Sequence, residues 1–412
     1  MANAFTTDQI TAFEDVLMGF EDALTISKHV AKYGADGQLM ERAGDTLNRP
    51  MPYILNTQTR TVGSAVTTQD VLQRKVPTVL DQSPSVPFKL NSLELREKLR
   101  NGQLAKAAAH QLASHINTTT RDELSLKSSL VVPITGAASS YSQVAEAESI
   151  MLEQGISSMD RAIALTARDY NGLANDLSKA SRSFGNEKSD TAYERSYIGP
   201  IAGFESYRID AGKQISAAAG GAITMDTTGA LVQYAPTASA DNRTQQITVS
   251  STTSVVAGDA FTVAGLEAVH HITKETTNQA KTFRVVSVDS GTTMTISPPM
   301  TGGGGATDAE LQYKNIEVAS TSATAAITWL NGTATGACPF WAKESIEIMP
   351  GSYVLPEGEG VAVMREYTES GFEVIMSKSF SNSTFEELIT FDCFYGVNLL
   401  NPEMAGVVLF NQ

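Results

Sequence analysis

The feature that most constrains the fold is a long stretch of helical periodicity between Asn91 and about Leu126. Apolar residues recur there every three or four positions, with polar residues between them, as in an amphipathic helix that buries one face. These residues are Leu95, Leu99, Leu104, Ala108, Leu112 and Ile116. A helix of about 25 to 30 residues is roughly 40 Å long. We therefore predict a spine helix around which the chain is organised; the central helix of a globular enzyme would give the same pattern.

Length and charge narrow the class of protein. The chain has 412 residues, more than one hydrophobic core usually supports, so we expect two or more packed units. Charged residues make up only 18% of the chain, which favours a surface largely covered by neighbours, although a secreted Thr-rich β protein is an alternative. The net charge of -15 argues against a nucleic-acid binder that works through a basic face.

The sequence indicates a protein made in the cytoplasm, without disulfides. Cys338 and Cys393 are far apart and lack a nearby partner cysteine, so we expect two inert buried thiols. The N-terminal segment carries acidic residues and lacks the apolar core of a signal peptide. No apolar run reaches the roughly 18 residues that a membrane-spanning helix needs.

A second amphipathic helix is predicted from Thr6 to Tyr33, within an N-terminal arm that extends to about Met40. Its apolar residues are Ile10, Phe13, Leu17, Phe20 and Leu24, and Thr6 with Gln9 has the form of a capping box. A glycine-containing segment follows, so this helix could contact a neighbouring subunit. Folding back onto its own domain fits the pattern equally well.

Between Pro50 and Pro87, short β-like runs interrupted by prolines predict a two-stranded excursion that needs another surface to lie on. After the spine helix, strands and helices alternate, which indicates a compact α/β unit. The predicted elements are strands at Leu130–Ile134 and Arg161–Leu165 and helices at Tyr141–Gln154 and Asn171–Ala180.

From about Ala222 to Cys338 helical periodicity disappears and β alternation replaces it. A segment of this length is enough for a small barrel or sandwich inserted into a larger body. The predicted strands are Gln246–Ser250, Ala260–Val263, Phe283–Val288 and Met294–Ser297. Beyond the insertion, further strands are predicted at Ala342–Ile348, Val361–Tyr367, Phe372–Lys378, Phe391–Leu400 and Gly406–Leu409.

The sequence contains no nucleophile elbow, phosphate-binding loop, zinc-protease motif or EF-hand loop. His270 and His271 are expected on opposite faces of a strand, and His110 and His115 lie five positions apart on the predicted spine helix. Neither spacing suits joint metal ligation. We predict no catalytic, cofactor or metal site and no enzymatic activity.

Five blocks, in the same order and spacing, resemble the major capsid (coat) proteins of P22-like short-tailed bacteriophages. They are IAGFE (201–205), GDAFTVAG (258–265), TFRVV (282–286), CPFWAKESIEI (338–348) and FYGVNLLNPEMAGV (394–407). In that family an FWA strand follows an inserted domain, and a YGVN segment closes the chain.

The resemblance implies an α+β, HK97-like capsid fold with an inserted all-β barrel domain. The implied regions are an N-terminal arm (1–40), an E-loop (50–87), a peripheral domain with the spine helix (88–128), a first axial part (129–221), the inserted barrel (222–338) and a return to the axial and peripheral domains (339–412). The implied function is a major capsid protein that forms pentamers and hexamers of an icosahedral head around double-stranded DNA, through a scaffolded procapsid that expands.

The implied partners are further copies of the chain, a scaffolding protein, the portal protein and loosely held double-stranded DNA. A decoration protein is a further candidate, and no membrane is implied. We predict assembly contacts by Phe13, Leu17, Phe20 and Leu24. We also predict them at Asp241 and Arg243, in the stretch that corresponds to the family's bridging loop but carries few charges. The alternative is a surface or tail protein whose β domain binds a glycan, although the aromatic residues of the insertion form no close cluster.

Overall fold

A computed structural model describes residues 7–33, 46–51, 62–63, 74–91, 103–179, 187–210, 212–226, 241–302, 308–319, 324–353, 362–381, 384 and 386–411. Predictions on Thr6, Leu95 and Leu99 lie outside these residues. The described helices are α1 (Thr7–Ala23), α2 (Gln103–Lys127), α3 (Tyr141–Glu153), α4 (Ala167–Lys179), α5 (Glu187–Arg195) and α6 (Asp308–Tyr313).

The strands of the first half and of the insertion are β1 (Ala31–Lys32), β2 (Thr46–Pro50), β3 (Lys75–Val79), β4 (Ser85–Asn91), β5 (Leu130–Ile134), β6 (Arg161–Thr166), β7 (Glu205–Ile209), β8 (Lys213–Ile215), β9 (Thr224–Asp226), β10 (Gln245–Thr248), β11 (Ala260–Val269), β12 (Thr276–Val288), β13 (Thr293–Ser297), β14 (Ile316–Val318) and β15 (Thr324–Trp329). The later strands are β16 (Thr335–Ala342), β17 (Ile346–Pro350), β18 (Ala362–Tyr367), β19 (Glu373–Ser381), β20 (Glu386–Cys393), β21 (Tyr395–Leu399) and β22 (Ala405–Phe410).

The chain divides into two compact units, each built from separate segments. Unit 1 comprises residues 1–47, 78–121 and 347–398, and unit 2 comprises residues 48–77, 122–346 and 399–412. Unit 1 contains a four-stranded antiparallel sheet in the order β18-β19-β20-β4 and a small sheet in the order β1-β17-β21. Helix α1 packs on this unit through an apolar face, as its periodicity predicts.

Unit 2 contains a sheet in the order β5-β22-β16-β6-β7, with β8 also paired to β16. Strands β5 and β22 run parallel, as do β6 and β7, while β16 is antiparallel to its neighbours. Helices α3 and α4 supply Val144, Met151 and Leu173 to the core against this sheet. A capping box formed by Ser140 and Gln143 begins α3.

The inserted strands form a closed barrel within unit 2. Their order is β10-β13-β12-β11-β15-β9, and the ring closes where Met225 of β9 bridges Val249 at the end of β10. Strand β14 lies beside β11. Side chains such as Phe261, Phe283 and Ile296 fill the interior, so the barrel has a core of its own.

Several elements coincide with the sequence predictions, because their periodicity is strong. Strand β5 has the predicted bounds, and α2 ends at Lys127, one residue beyond the expected end. Thr118, Thr119 and Thr120 do not end α2, since each hydroxyl donates a hydrogen bond to a carbonyl three or four residues earlier in the helix.

Other predictions were wrong. Helix α1 ends at Ala23, and a 3-10 turn at Ile26–His29 and strand β1 replace the rest of the predicted helix. The predicted strand Ala342–Ile348 is broken by a 3-10 turn at Lys343–Ser345 between β16 and β17. His270 and His271 lie in the turn after β11 rather than on a strand, because β11 ends at Val269.

Candidate functional site

The predicted assembly residues of α1 lie largely inside unit 1. Phe13, Phe20 and Leu24 are buried. The Phe13 ring stacks on Phe391 with centroids 6.4 Å apart, and the Phe20 ring meets the edge of Phe372 at 5.9 Å. These apolar side chains therefore pack within their own subunit, and their direct contact with a neighbouring subunit stays a prediction.

The buried stripe of α1 differs in register from the predicted one. Val16 is fully buried, whereas Leu17 is half-buried and Ile10 is 41% exposed. Sequence reasoning missed Val16 because 13-17-20-24 and 13-16-20-24 are both helical spacings, and only the position of the partner sheet distinguishes them.

Polar contacts fix α1 at its carboxyl end. The Glu21 carboxylate accepts hydrogen bonds from the Ser370 backbone N–H at 2.5 Å and from its hydroxyl at 2.7 Å. The Asn117 side chain donates to the Ala23 carbonyl at 3.0 Å and accepts from the Thr25 N–H at 3.2 Å. The bond to the Ala23 carbonyl satisfies a group that the end of a helix leaves without an intrahelical partner.

The outward side of α1 is acidic with an apolar centre. Met18 is 65% exposed and lies in a groove of about 390 Å³ with Asp15, Asp22, Lys106 and His110. This groove leaves Met18 open to solvent in the single chain.

Asp241 and Arg243 face each other at the start of the described part of the barrel. Arg243 donates to both carboxylate oxygens of Asp241, from Nε at 2.9 Å and from Nη2 at 2.7 Å, and from Nη1 to the Leu399 carbonyl at 3.0 Å. Burial would raise the pKa of Asp241, but the hydrogen bonds and charge of Arg243 outweigh it and lower that pKa. Both residues thus have partners within the subunit. The predicted bridging loop extends from Tyr234 to Gln246, and its first part, residues 234–240, lies outside the described residues.

Sequence reasoning missed a buried ion pair between a barrel strand and the segment before β22. Lys281 Nζ of β12 lies 2.7 Å from Glu403 Oε1, and the Asn315 side chain donates to the same oxygen at 3.0 Å. Burial would raise the pKa of Glu403, but the charges of Lys281 and His271 and the hydrogen bond from Lys281 lower it to about 2. Glu403 is therefore ionised near neutral pH. Neither Lys281 nor Glu403 belonged to a recognisable sequence motif.

The described residues contain no group of three or more His, Cys, Asp or Glu side chains that could hold a metal ion. Cys338 and Cys393 are buried and free. Burial raises the pKa of the Cys393 thiol to about 12, so it is protonated at neutral pH. In the part of the chain that the structure describes, no helix is both long enough and apolar enough to cross a membrane.

The described barrel shows no exposed aromatic platform of the kind that a glycan-binding surface would use. Phe261 lies 5.7 Å from both Phe283 and Trp329, centroid to centroid, in the barrel core. Tyr313 is buried and lies under the Arg74 guanidinium at 3.9 Å. These rings are therefore structural.

Three solved structures similar to this chain are described as phage or coat proteins. One, described as Mycobacterium phage Che8, is 8% identical with a TM-score of 0.45, and the match covers 93% of this chain and 90% of that chain. The capsid of the cyanophage P-SCSP1u is 10% identical with a TM-score of 0.44, and the match covers 95% and 88%. The CUS-3 coat protein I-domain is 39% identical with a TM-score of 0.21, and the match covers 27% of this chain and 96% of that one.

The family model described as P22 coat protein, gene protein 5, matches residues 1–411. This match confirms the resemblance seen in the five sequence blocks and, with it, the α+β HK97-like capsid fold carrying an inserted β domain. The chain thus belongs to the P22 coat protein family and is a major capsid protein of an icosahedral phage shell.

Proposed function

We propose that this coat protein assembles as pentamers and hexamers, first around a scaffolding protein and then expanding as double-stranded DNA enters through a portal. The observation that carries the proposal is the match of the coat family model to nearly the whole chain, residues 1–411. Assembly takes place in the host cytoplasm, the protein acts without catalysing a reaction, and a decoration protein is a further candidate partner.

We assign a role in the shell to each region that the family implies. The arm (1–40) and E-loop (50–87) contact neighbours, the peripheral (88–128) and axial (129–221) regions with 339–412 build the shell, and the barrel (222–338) is the inserted domain. The described α2 and the strands of the closed barrel fall within these ranges and support the assignment. The sheet in the order β5-β22-β16-β6-β7 also fits, except that β16 begins at Thr335, inside the range assigned to the barrel.

The physical basis of the assembly is multivalency. Each copy in a shell makes several contacts, and weak contacts reinforce one another once a first contact has formed. The net charge of -15 also suits a shell that encloses DNA without gripping it, since tight non-specific binding requires a basic surface.

The test is expression of the chain alone and with its candidate scaffolding protein, gradient sedimentation, and negative-stain electron microscopy. The proposal would be supported if closed shells form only with the scaffolding protein, or if shells become uniform in size when that protein is present. A uniform monomer under both conditions would contradict it.

The proposed role of α1 in assembly needs a variant that leaves the buried stripe intact. Leu17→Ser changes a half-buried residue, and Met18→Ser changes one that is 65% exposed. We expect both variants to fold but to lower particle yield if α1 contacts a neighbour. Ile10→Ser, on the same helix and 41% exposed, is the matched substitution for comparison. Normal yield from Leu17→Ser and Met18→Ser would count against a contact by α1.

The Asp241 and Arg243 pair is tested separately with a double variant, Asp241→Asn with Arg243→Gln. Loss of shells with retention of capsomers would support a bridge between capsomers. The exposed pair Lys89 and Glu386, 3.5 Å apart, provides the control when changed to the same neutral residues. If the Asp241 and Arg243 double variant still formed normal shells, the pair would act only inside the subunit and would not bridge capsomers.

A further inference from the structure

The carboxyl end of α2 is completed by residues of the inserted barrel. A helix leaves its last four carbonyls without an intrahelical partner. The Ser125 carbonyl, one of these four, accepts a hydrogen bond from Nη2 of Arg284 on β12. Just beyond the helix, the Ser129 carbonyl accepts a hydrogen bond from the Thr282 hydroxyl at 2.6 Å. Two outward-facing residues of one barrel strand thus bond to the end of the spine helix.

The surroundings of Arg284 show that its charge is directed at the helix end. The residue is fully buried, and its Nε and Nη1 atoms have no hydrogen-bond partner. The nearest acid, Asp259, uses its two carboxylate oxygens to accept from the Val256 N–H and the Asn331 side chain, both at 2.9 Å. The partial negative charge at a helix carboxyl end is therefore an important stabilising influence on this guanidinium.

Burial lowers the pKa of Arg284 to about 10, while the charge of Asp259 opposes this shift. The guanidinium is accordingly still protonated at neutral pH. A cation near the last turn of a helix stabilises it, whereas a neutral side chain of the same size does not.

The backbone of the barrel also approaches the helix closely. Gly258 has φ +96°, and a Cβ atom at this position would lie 2.7 Å from Leu126 Cδ2. The Gly258 N–H donates to the Val285 carbonyl at 2.7 Å, which ties this turn to β12 beside Arg284. Any larger residue at 258 would have to move the Leu126 side chain and would also be strained by the positive φ.

We infer that the inserted barrel is the carboxyl-terminal cap of the spine helix, with Arg284 as the positioning residue, so that the last turn of α2 is stable only while the barrel is docked. Thr282 and Gly258 complete the cap. The insertion therefore stabilises the element around which the chain is organised.

The test is hydrogen–deuterium exchange, by mass spectrometry, of peptides covering residues 122–129 in the full-length protein. For Arg284→Met we expect exchange there to become about tenfold faster, as for loss of a helix cap, with core peptides 261–263 and 294–296 unchanged. Arg284→Lys keeps the charge and should retain most of the protection. Lys281→Met removes another buried cation of the same strand, whose partner is Glu403, and should leave residues 122–126 unaffected relative to the barrel core.

A second variant keeps the inference testable if Arg284→Met does not fold. Gly258→Ala should accelerate exchange at residues 122–129 with Arg284 intact. The added change Leu126→Ala should restore only the protection lost to the side-chain contact, because the strain of the positive φ remains. The inference fails if Arg284→Met or Gly258→Ala leaves the helix end protected. It also fails if protection falls equally in the barrel core, which would make Arg284 a residue of barrel stability alone.

Discussion

Helix α1 and strand β12 of the inserted barrel illustrate two kinds of contact within their respective units. In unit 1, α1 packs its rings on Phe391 and Phe372, where attraction is spread over many atom pairs. In unit 2, β12 of the barrel is joined to its neighbours through the buried charges of Lys281 and Arg284. Apolar packing weakens gradually as atoms are lost, whereas a buried ion pair that loses one member leaves an uncompensated charge.

The largest expected effect comes from removing one member of the buried pair. Lys281→Met should lower the free energy of unfolding by about 3–5 kcal/mol, because Glu403 is left charged and buried. The double variant Lys281→Met with Glu403→Leu should recover most of this loss. Urea denaturation measures both.

The control for this prediction is the exposed pair. Lys89→Met breaks an ion pair whose side chains are 68% and 39% exposed, and it should cost less than about 1 kcal/mol. If Lys281→Met and Lys89→Met lowered the free energy of unfolding by the same amount, the buried ion pair would be no more important to stability than the exposed one.

The next effect is a pH dependence of unit 2. Burial lowers the pKa of His271 to about 4, with Glu403 opposing the shift and Lys281, Lys274 and His270 adding to it. Since the unfolded chain has the higher pKa, about 6.5, it binds more protons between these values, and stability rises with pH through this window. Acidification from pH 7 to pH 4 should therefore cost about 3 kcal/mol at this residue.

The measurement is the free energy of unfolding between pH 4 and pH 7 for the wild type and for His271→Leu. Carboxylates titrate in both proteins, so the difference between the two curves isolates the histidine. A difference that does not change with pH would show that His271 is not a buried neutral group.

A smaller effect is expected from a volume-conserving change in α1. Phe20→Leu should lower the free energy of unfolding by about 1–1.5 kcal/mol, because it removes the edge-to-face contact with Phe372 but keeps the site apolar. Ile10→Ala, on the exposed side, should change it by no more than about 0.5 kcal/mol. If Phe20→Leu lowered the free energy of unfolding as much as Lys281→Met does, the apolar packing of α1 would not lose stability gradually as atoms are removed.

The smallest effect is expected at the polar end of α1. Glu21→Gln keeps one acceptor for Ser370 but loses the charge, so we expect a loss of about 1 kcal/mol in partly exposed surroundings. Glu14→Gln, on the exposed side of the same helix, is the matched control. Thermal denaturation of both variants would reveal whether the carboxylate of Glu21 contributes more than a neutral acceptor does.

The regular elements were predictable where periodicity alone determines structure. The spine helix, β5 and the β character of the insertion follow from local spacing that little else can satisfy. The break at Lys343–Ser345 was missed, although three polar residues interrupt the apolar run there. A short polar interruption also occurs within continuous strands, and only the pairing with different sheets separates β16 from β17.

The contacts within the candidate sites were less predictable than the fold. Val16 replaces Leu17 in the buried stripe because the partner sheet selects the face. Charged side chains are usually exposed, so no sequence pattern indicated burial of Lys281, Arg284 and Glu403. Each of them is also distant in sequence from the group that it contacts. Their burial depends on the docking of the barrel, which no local pattern encodes.

The bridge between Met225 and Val249 closes the strands of the insertion into a ring. An open sheet of the same strands would expose two rows of unpaired N–H and C=O groups, to which another chain could add a strand. Coat proteins accumulate at high concentration before and during assembly, when such pairing would produce aggregates in place of ordered particles. Because its edges are joined to each other, the insertion can be added to a shell protein without creating a template for uncontrolled polymerisation.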